Sequence, residues 1–192
     1  MSAKHHALLV KGSQCQSAGR FAEAESCYRR VIKADPGNAE AWHLLGLLAY
    51  QAENPAEAEQ HIRKAVSLAP ANVGFLSNLG LVLKDLGHPE AAEKALKRAL
   101  EIEPNSAAAL NNLGLALQAQ ERFTEAESCY RQVLEKAPQA AQLHSNLGLT
   151  LRRLERLDEA ETSLKRALEL APDNVDSLLG MASVLGEMGK LE

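Results

Sequence analysis

The sequence predicts an all-α solenoid of about eleven helices, and three observations carry that prediction. Pro36, Pro70, Pro104, Pro138 and Pro172 are each separated by 34 residues. Gly12, Gly46, Gly80, Gly114 and Gly148 keep the same period, as do Ala24, Ala58, Ala92, Ala126 and Ala160. Within each period the apolar residues recur at helical spacing. Three residue classes thus establish one repeating unit, and each unit reads as two helices.

Residues 73–106, VGFLSNLGLVLKDLGHPEAAEKALKRALEIEPNS, show the elements in order. Leu76, Leu79, Val82, Leu83 and Leu86 form the apolar stripe of a first helix. Gly87, His88 and Pro89 break it, and Ala92, Ala95, Leu96, Ala99 and Leu100 mark a second helix. Pro104 closes the unit, because proline cannot continue a helix interior. Asn38, Asn72 and Asn174 follow their prolines by two residues and fit N-caps for the next first helix. Glu25/Arg29, Glu59/Arg63, Glu93/Lys97, Glu127/Arg131 and Glu161/Lys165 are i,i+4 pairs in the favourable order, each adding about 0.2–0.5 kcal/mol to a second helix. Five equivalent copies describe a solvated outer face, not a catalytic cleft.

Trp42, Leu45, Gly46, Ala58, Ile62, Ala65 and Pro70 fall in the order and spacing of a tetratricopeptide repeat, and the chain resembles that family over its whole length. The resemblance implies a single solenoid over 1–192, with repeats at 5–38, 39–72, 73–106, 107–140 and 141–174 and a half repeat at 175–192. It departs from the pattern at Tyr50, one residue late, at Ala182 in place of glycine, and at Val31 and Val133 in place of a small alanine. It also implies a right-handed superhelix whose first helices line a concave groove, so that function is to be sought there.

The totals exclude several functions. The chain has 21 Lys and Arg against 25 Asp and Glu, with the two signs mixed along it, which is not the basic surface of a nucleic-acid binder. Its longest early apolar run, Ala7 to Val10, is too short for a signal-peptide core, and no run spans a membrane; the expectation is a cytoplasmic protein with no membrane partner. Cys27 and Cys129 share one column three repeats apart and Cys15 lies in another, so all three read as small buried residues. Six histidines include no ligand spacing, and no phosphate loop or nucleophile elbow occurs. No enzyme, metal or cofactor is expected. His43 and His144 lie on first helices near the groove, where ligand contact and solvent-facing surface both fit and the second is the simpler reading.

One column points to binding. Asn78, Asn112 and Asn146 stand two residues before their glycines, and Leu81, Leu115 and Leu149 one residue after. Asparagine is a mediocre helix former, so its recurrence asks for a reason. A side-chain amide can pair with both the C=O and the N–H of a peptide unit. The alternative is that it hydrogen-bonds within the stack. With Asn111, Lys84 and Arg152, these residues form the candidate peptide-binding set. The NNLG and SNLG segments are similar to the asparagine ladder of O-GlcNAc transferase repeats, a resemblance that implies contact with peptide backbone. The carboxylate clamp of co-chaperone repeats is not expected, because its lysines and arginine are missing from the corresponding positions.

Residues 175–192, VDSLLGMASVLGEMGKLE, align with a first helix, and Leu178, Met181, Val184, Leu185 and Met188 keep the apolar stripe without a second helix to cover it. A fragment of a longer protein, a contact with another copy and simple exposure all fit. The sequence therefore implies a protein-interaction scaffold that holds an extended peptide. The alternatives are the substrate-recruiting part of a larger enzyme, of glycosyltransferase or sulfotransferase type, and self-association through 175–192.

Overall fold

The structure, a computed structural model, describes residues 3–189. It contains eleven helices and no strand among the described residues. They are α1 (Ala3–Ser17), α2 (Phe21–Ala34), α3 (Ala39–Gln51), α4 (Pro55–Leu68), α5 (Val73–Asp85), α6 (Pro89–Ile102), α7 (Ala107–Ala119), α8 (Phe123–Leu134), α9 (Ala141–Arg153), α10 (Leu157–Leu170) and α11 (Val175–Glu187). The chain forms two compact units, one up to Ile102 and one from Glu103 onward. In the first, α1 packs on α2, α3 on α4 and α5 on α6, with α2 against α3 and α4 against α5 joining the hairpins. In the second, α7 packs on α8 and α9 on α10, α8 lies against α9, and α11 rests on α9 and α10.

The period of the sequence is the period of the packing. Leu45, Leu79, Leu113 and Leu147 are buried on the first helices, and the alanine column on the second helices is fully buried. Close approach explains the glycine column: a Cβ at Gly114 would come within 2.5 Å of the Tyr130 ring, and one at Gly46 within 2.6 Å of Ile62 Cγ1. These are well inside the ~3.5–4.0 Å of an ordinary carbon contact.

Helix ends follow the expected chemistry. Asn38, Asn72 and Asn174 accept hydrogen bonds from the backbone N–H of Ala41, Phe75 and Ser177, at 3.0, 3.0 and 2.8 Å. Asn54 caps α4 in the same way, through Glu57 N at 3.3 Å. Each first helix turns into its partner through a left-handed residue, filled by Gly19 and Gly87 in two repeats and by Glu53, Glu121 and Glu155, at φ 58–60°, in three others. The five i,i+4 pairs of the second helices all form, at 2.5–2.9 Å. Cys15, Cys27 and Cys129 are free and buried, and burial pushes the Cys129 thiol up to about 11.

Around α8 and α10 a further lattice of charges joins neighbouring repeats. Arg156 Nη1 grips both oxygens of Glu127 at 2.8 and 2.7 Å, while its Nε and Nη2 reach Glu159 at 2.7 Å. Arg131 contacts the same two carboxylates at 2.9 and 3.1 Å. The hydrogen bonds from Arg156, then its charge and that of Arg131, hold the Glu159 carboxyl below the usual carboxylate range.

Candidate functional site: the first-helix faces

Packing against the second helices fixes which side of each first helix remains open. On the open side, the residues one place after the glycines, Leu47, Leu81, Leu115 and Leu149, are half-buried. Polar side chains flank this apolar column on both sides and bond from one first helix to the next.

In the first unit a 2.9 Å hydrogen bond joins Asn78 Nδ2 on α5 to His43 Nε2 on α3. An amide nitrogen only donates, so the ring nitrogen accepts and the imidazole is neutral, its proton on Nδ1. His43 also stacks on Phe75, with ring centroids 4.4 Å apart, and burial lowers its pKa to about 4. The simple surface reading of His43 gives way to a stacked and hydrogen-bonded one.

In the second unit the asparagines form a longer chain. Asn174 Nδ2 donates to Gln142 Oε1 at 3.3 Å, Gln142 Nε2 to Asn146 Oδ1 at 3.1 Å, Asn146 Nδ2 to Asn111 Oδ1 at 3.1 Å, and Asn111 Nδ2 to Asn112 Oδ1 at 3.3 Å. The four bonds form a single relay that steps from the α10–α11 turn to α9 to α7, each amide donating to the next. Asn146, only 6% exposed, is its deepest member, whereas Asn111 and Asn112 are half-buried and Gln142 is exposed. An amide carries two N–H groups and two lone pairs, so one donated and one accepted bond still leave capacity at Asn111 and Gln142.

On the other side of the leucines, a residue four places after one position of the glycine column pairs with one five places after the next position, the last such position being Ala182 on α11. Gln16 Nε2 donates to Gln51 Oε1 at 3.0 Å, the Tyr50 hydroxyl donates to Asp85 Oδ2, and Arg152 Nη1 lies 3.8 Å from Glu187 Oε1. Burial, followed by the neighbouring Asp85, pushes the Tyr50 hydroxyl up to about 12. Lys84 is held by Asp85 at 2.5 Å. Gln118 ties this edge to the second helices, accepting from the Tyr130 hydroxyl at 3.0 Å and donating to Thr150 Oγ1 at 2.6 Å.

The candidate residues thus divide between the units. Asn78, Leu81 and Lys84 share the first-helix face of the first; Asn111, Asn112, Leu115, Asn146, Leu149 and Arg152 share that of the second. Sequence reasoning missed His43, Gln142 and Gln118 as their partners, and Tyr50 as the partner of Asp85 beside Lys84. The signal was available: Asn78 and Asn146 pair with residues 35 positions earlier, one period plus one.

Paired helices repeating at a fixed period, with one open face per pair, define a helical-repeat scaffold. The chain belongs to the tetratricopeptide repeat family. A model of the cytochrome c-type biogenesis protein H TPR domain matches residues 22–144, and single tetratricopeptide repeat models match 5–38 and 141–174. Comparison with curated protein sequences gives no match. Among solved structures, MamA is similar at 26% identity over 88% of this chain and 93% of that one, with a TM-score of 0.73. YrrB, described as a TPR protein with an unusual peptide-binding site, is similar at 26% identity over 91% and 90%, with a TM-score of 0.72. PilW, a type IV pilus biogenesis factor, shares the fold at a TM-score of 0.92 and 20% identity, over 99% of this chain and 88% of that one. No helix among the described residues is long and apolar enough to cross a membrane.

Proposed function

We propose that the chain is a protein-interaction scaffold that binds an extended peptide segment along its first-helix faces. The observation that carries the reading is the half-buried leucine column bordered by side-chain amides with hydrogen-bonding capacity left over, best developed at Asn111 and Gln142 beside Leu115 and Leu149. Leucines would take up side chains of the segment, and the amides its backbone C=O and N–H groups, a division that favours extended conformation over particular sequence. The description of YrrB as a peptide binder supports the reading, as does the likeness of the NLG column to O-GlcNAc transferase repeats. Asn78 and Asn146 act in it as supports, because their amides already join neighbouring first helices.

The test is to select binders from a random dodecapeptide display library and measure their affinity by calorimetry for the chain and for the double variant Asn112→Ala with Leu115→Lys. The reading expects at least about a tenfold loss, since a charge at the centre of an apolar contact costs several times RT. Unchanged affinity with intact helicity would place binding on another surface.

A further inference from the structure

Two exposed helix faces, one in each unit, match each other in shape and in charge. On α11 the exposed residues Val175, Leu179, Ala182 and Gly186 form one stripe, with Val175 63% and Leu179 64% open to solvent. On α1 the exposed residues Ala3, Ala7, Val10 and Gln14 form another. Both stripes have the spacing i, i+4, i+7, i+11, the straight seam of one helix face. Because 4, 3, 4 reads the same in both directions, the stripes keep register when the helices run antiparallel. Val10 then meets Leu179, Ala7 meets Ala182, Ala3 meets Gly186 and Gln14 meets Val175. The Ala and Gly positions allow close approach, and the two largest apolar side chains sit together.

Charge follows the same geometry. Lys4 and Lys11 lie about a quarter turn to one side of the α1 stripe, and Asp176 and Glu187 about a quarter turn to the same side of the α11 stripe, at 100° per residue. Antiparallel packing brings these flanks together, placing Lys4 near Glu187 and Lys11 near Asp176, each offset by about 3 Å along the axis. All four side chains belong to exposed residues. The surroundings reinforce the match. Residues 1–34 hold six Lys or Arg against two Glu, whereas residues 167–192 hold five Asp or Glu against one Lys. The acidic total of the whole chain hides this opposition of its two end regions.

We propose that α1 of one copy docks antiparallel on α11 of a second copy, a head-to-tail contact with apolar residues at its centre and Lys4/Glu187 and Lys11/Asp176 ion pairs at its rim. The contact is heterologous, so it leaves an unused α1 and an unused α11 on every pair and builds rings or open chains of copies. It uses neither the leucine column nor the amide relay; Glu187 already lies 3.8 Å from Arg152 Nη1 of its own chain and would be shared between Arg152 and Lys4.

A charge-swap experiment tests it. Sedimentation velocity and light scattering of the 192-residue chain should show association that rises with concentration and falls with salt. Lys4→Glu with Lys11→Glu gives acid at both faces, and Asp176→Lys with Glu187→Lys gives base at both. Each variant alone should self-associate at least about tenfold more weakly than the parent, because like charges then face each other. An equimolar mixture of the two restores opposite charges at both kinds of contact and should recover association. Circular dichroism confirms that each variant keeps its helices, and Leu179→Asp, which leaves every basic residue in place, should also dissociate the assembly. A chain that stays monomeric at all concentrations, association indifferent to the swaps, or a mixture that does not recover it would overturn the proposal. The last two outcomes would point to a different surface or a different covering helix.

Discussion

Histidine 43 makes the folded protein acid-sensitive in a way that one substitution isolates. Burial against Phe75 lowers the pKa of His43 to about 4, and Nε2 can accept from Asn78 Nδ2 only while it is unprotonated. In the unfolded chain the ring titrates near 6.5. Between these values the unfolded state binds the proton and the folded state does not, so stability is complete above about pH 6.5 and declines as pH falls toward 4. At pH 4.5 the linkage amounts to about 2.5 kcal/mol lost relative to pH 7. His43→Gln supplies an amide oxygen that can accept from Asn78 and does not titrate. The assay is urea denaturation of both proteins at pH 7 and pH 4.5. The parent should lose about 2.5 kcal/mol more than the variant over that interval, whatever the carboxylates contribute to both. Parallel losses in the two proteins would refute the buried, neutral, hydrogen-bonded state assigned to His43.

Other positions give equally definite expectations. Gly114→Ala sets a helix-propensity gain of about 1 kcal/mol against an overpacking cost of about 1–3 kcal/mol from the Cβ contact with Tyr130, so the melting temperature should fall by a few degrees; a rise would show that the ring moves freely. Asn146→Ala removes the bonds to Asn111 and from Gln142 and should cost about 1–2 kcal/mol in thermal or chemical unfolding, more than Asn112→Ala, because Asn146 is the more deeply buried. Glu53→Gly relieves a left-handed residue and should raise stability by about 0.5–1 kcal/mol in the same assay. Buried Cys15, Cys27 and Cys129 should react with Ellman's reagent at pH 8 only as fast as the chain opens, and immediate labelling of any of them would contradict its burial.

The fold was legible because its determinants recur at a single period. A glycine facing a tyrosine ring, a leucine or an isoleucine, an alanine buried on the second helix and a proline at the closing turn each leave a mark every 34 residues. The N-caps and i,i+4 pairs were legible for a related reason: both partners lie within one helical turn. What the sequence hid is the offset between repeats. Asn78 and Asn146 look like free groove amides in a column read alone, yet their partners His43 and Asn111 stand in the neighbouring column of the preceding repeat. The bridge from Arg156 to Glu127 escaped for the same reason, since its partners lie on successive repeats, 29 positions apart. A side chain's partner across a stack depends on the rotation between repeats, which composition and period do not encode.

The most direct test of the scaffold reading is photocrosslinking within the second unit. A benzophenone amino acid replaces Leu115 on the first-helix face in one protein and the exposed Ser128 on the second helix in another, and each is irradiated with a selected extended peptide. The account predicts a covalent adduct from position 115 and none from position 128. An adduct from position 128 alone would contradict it.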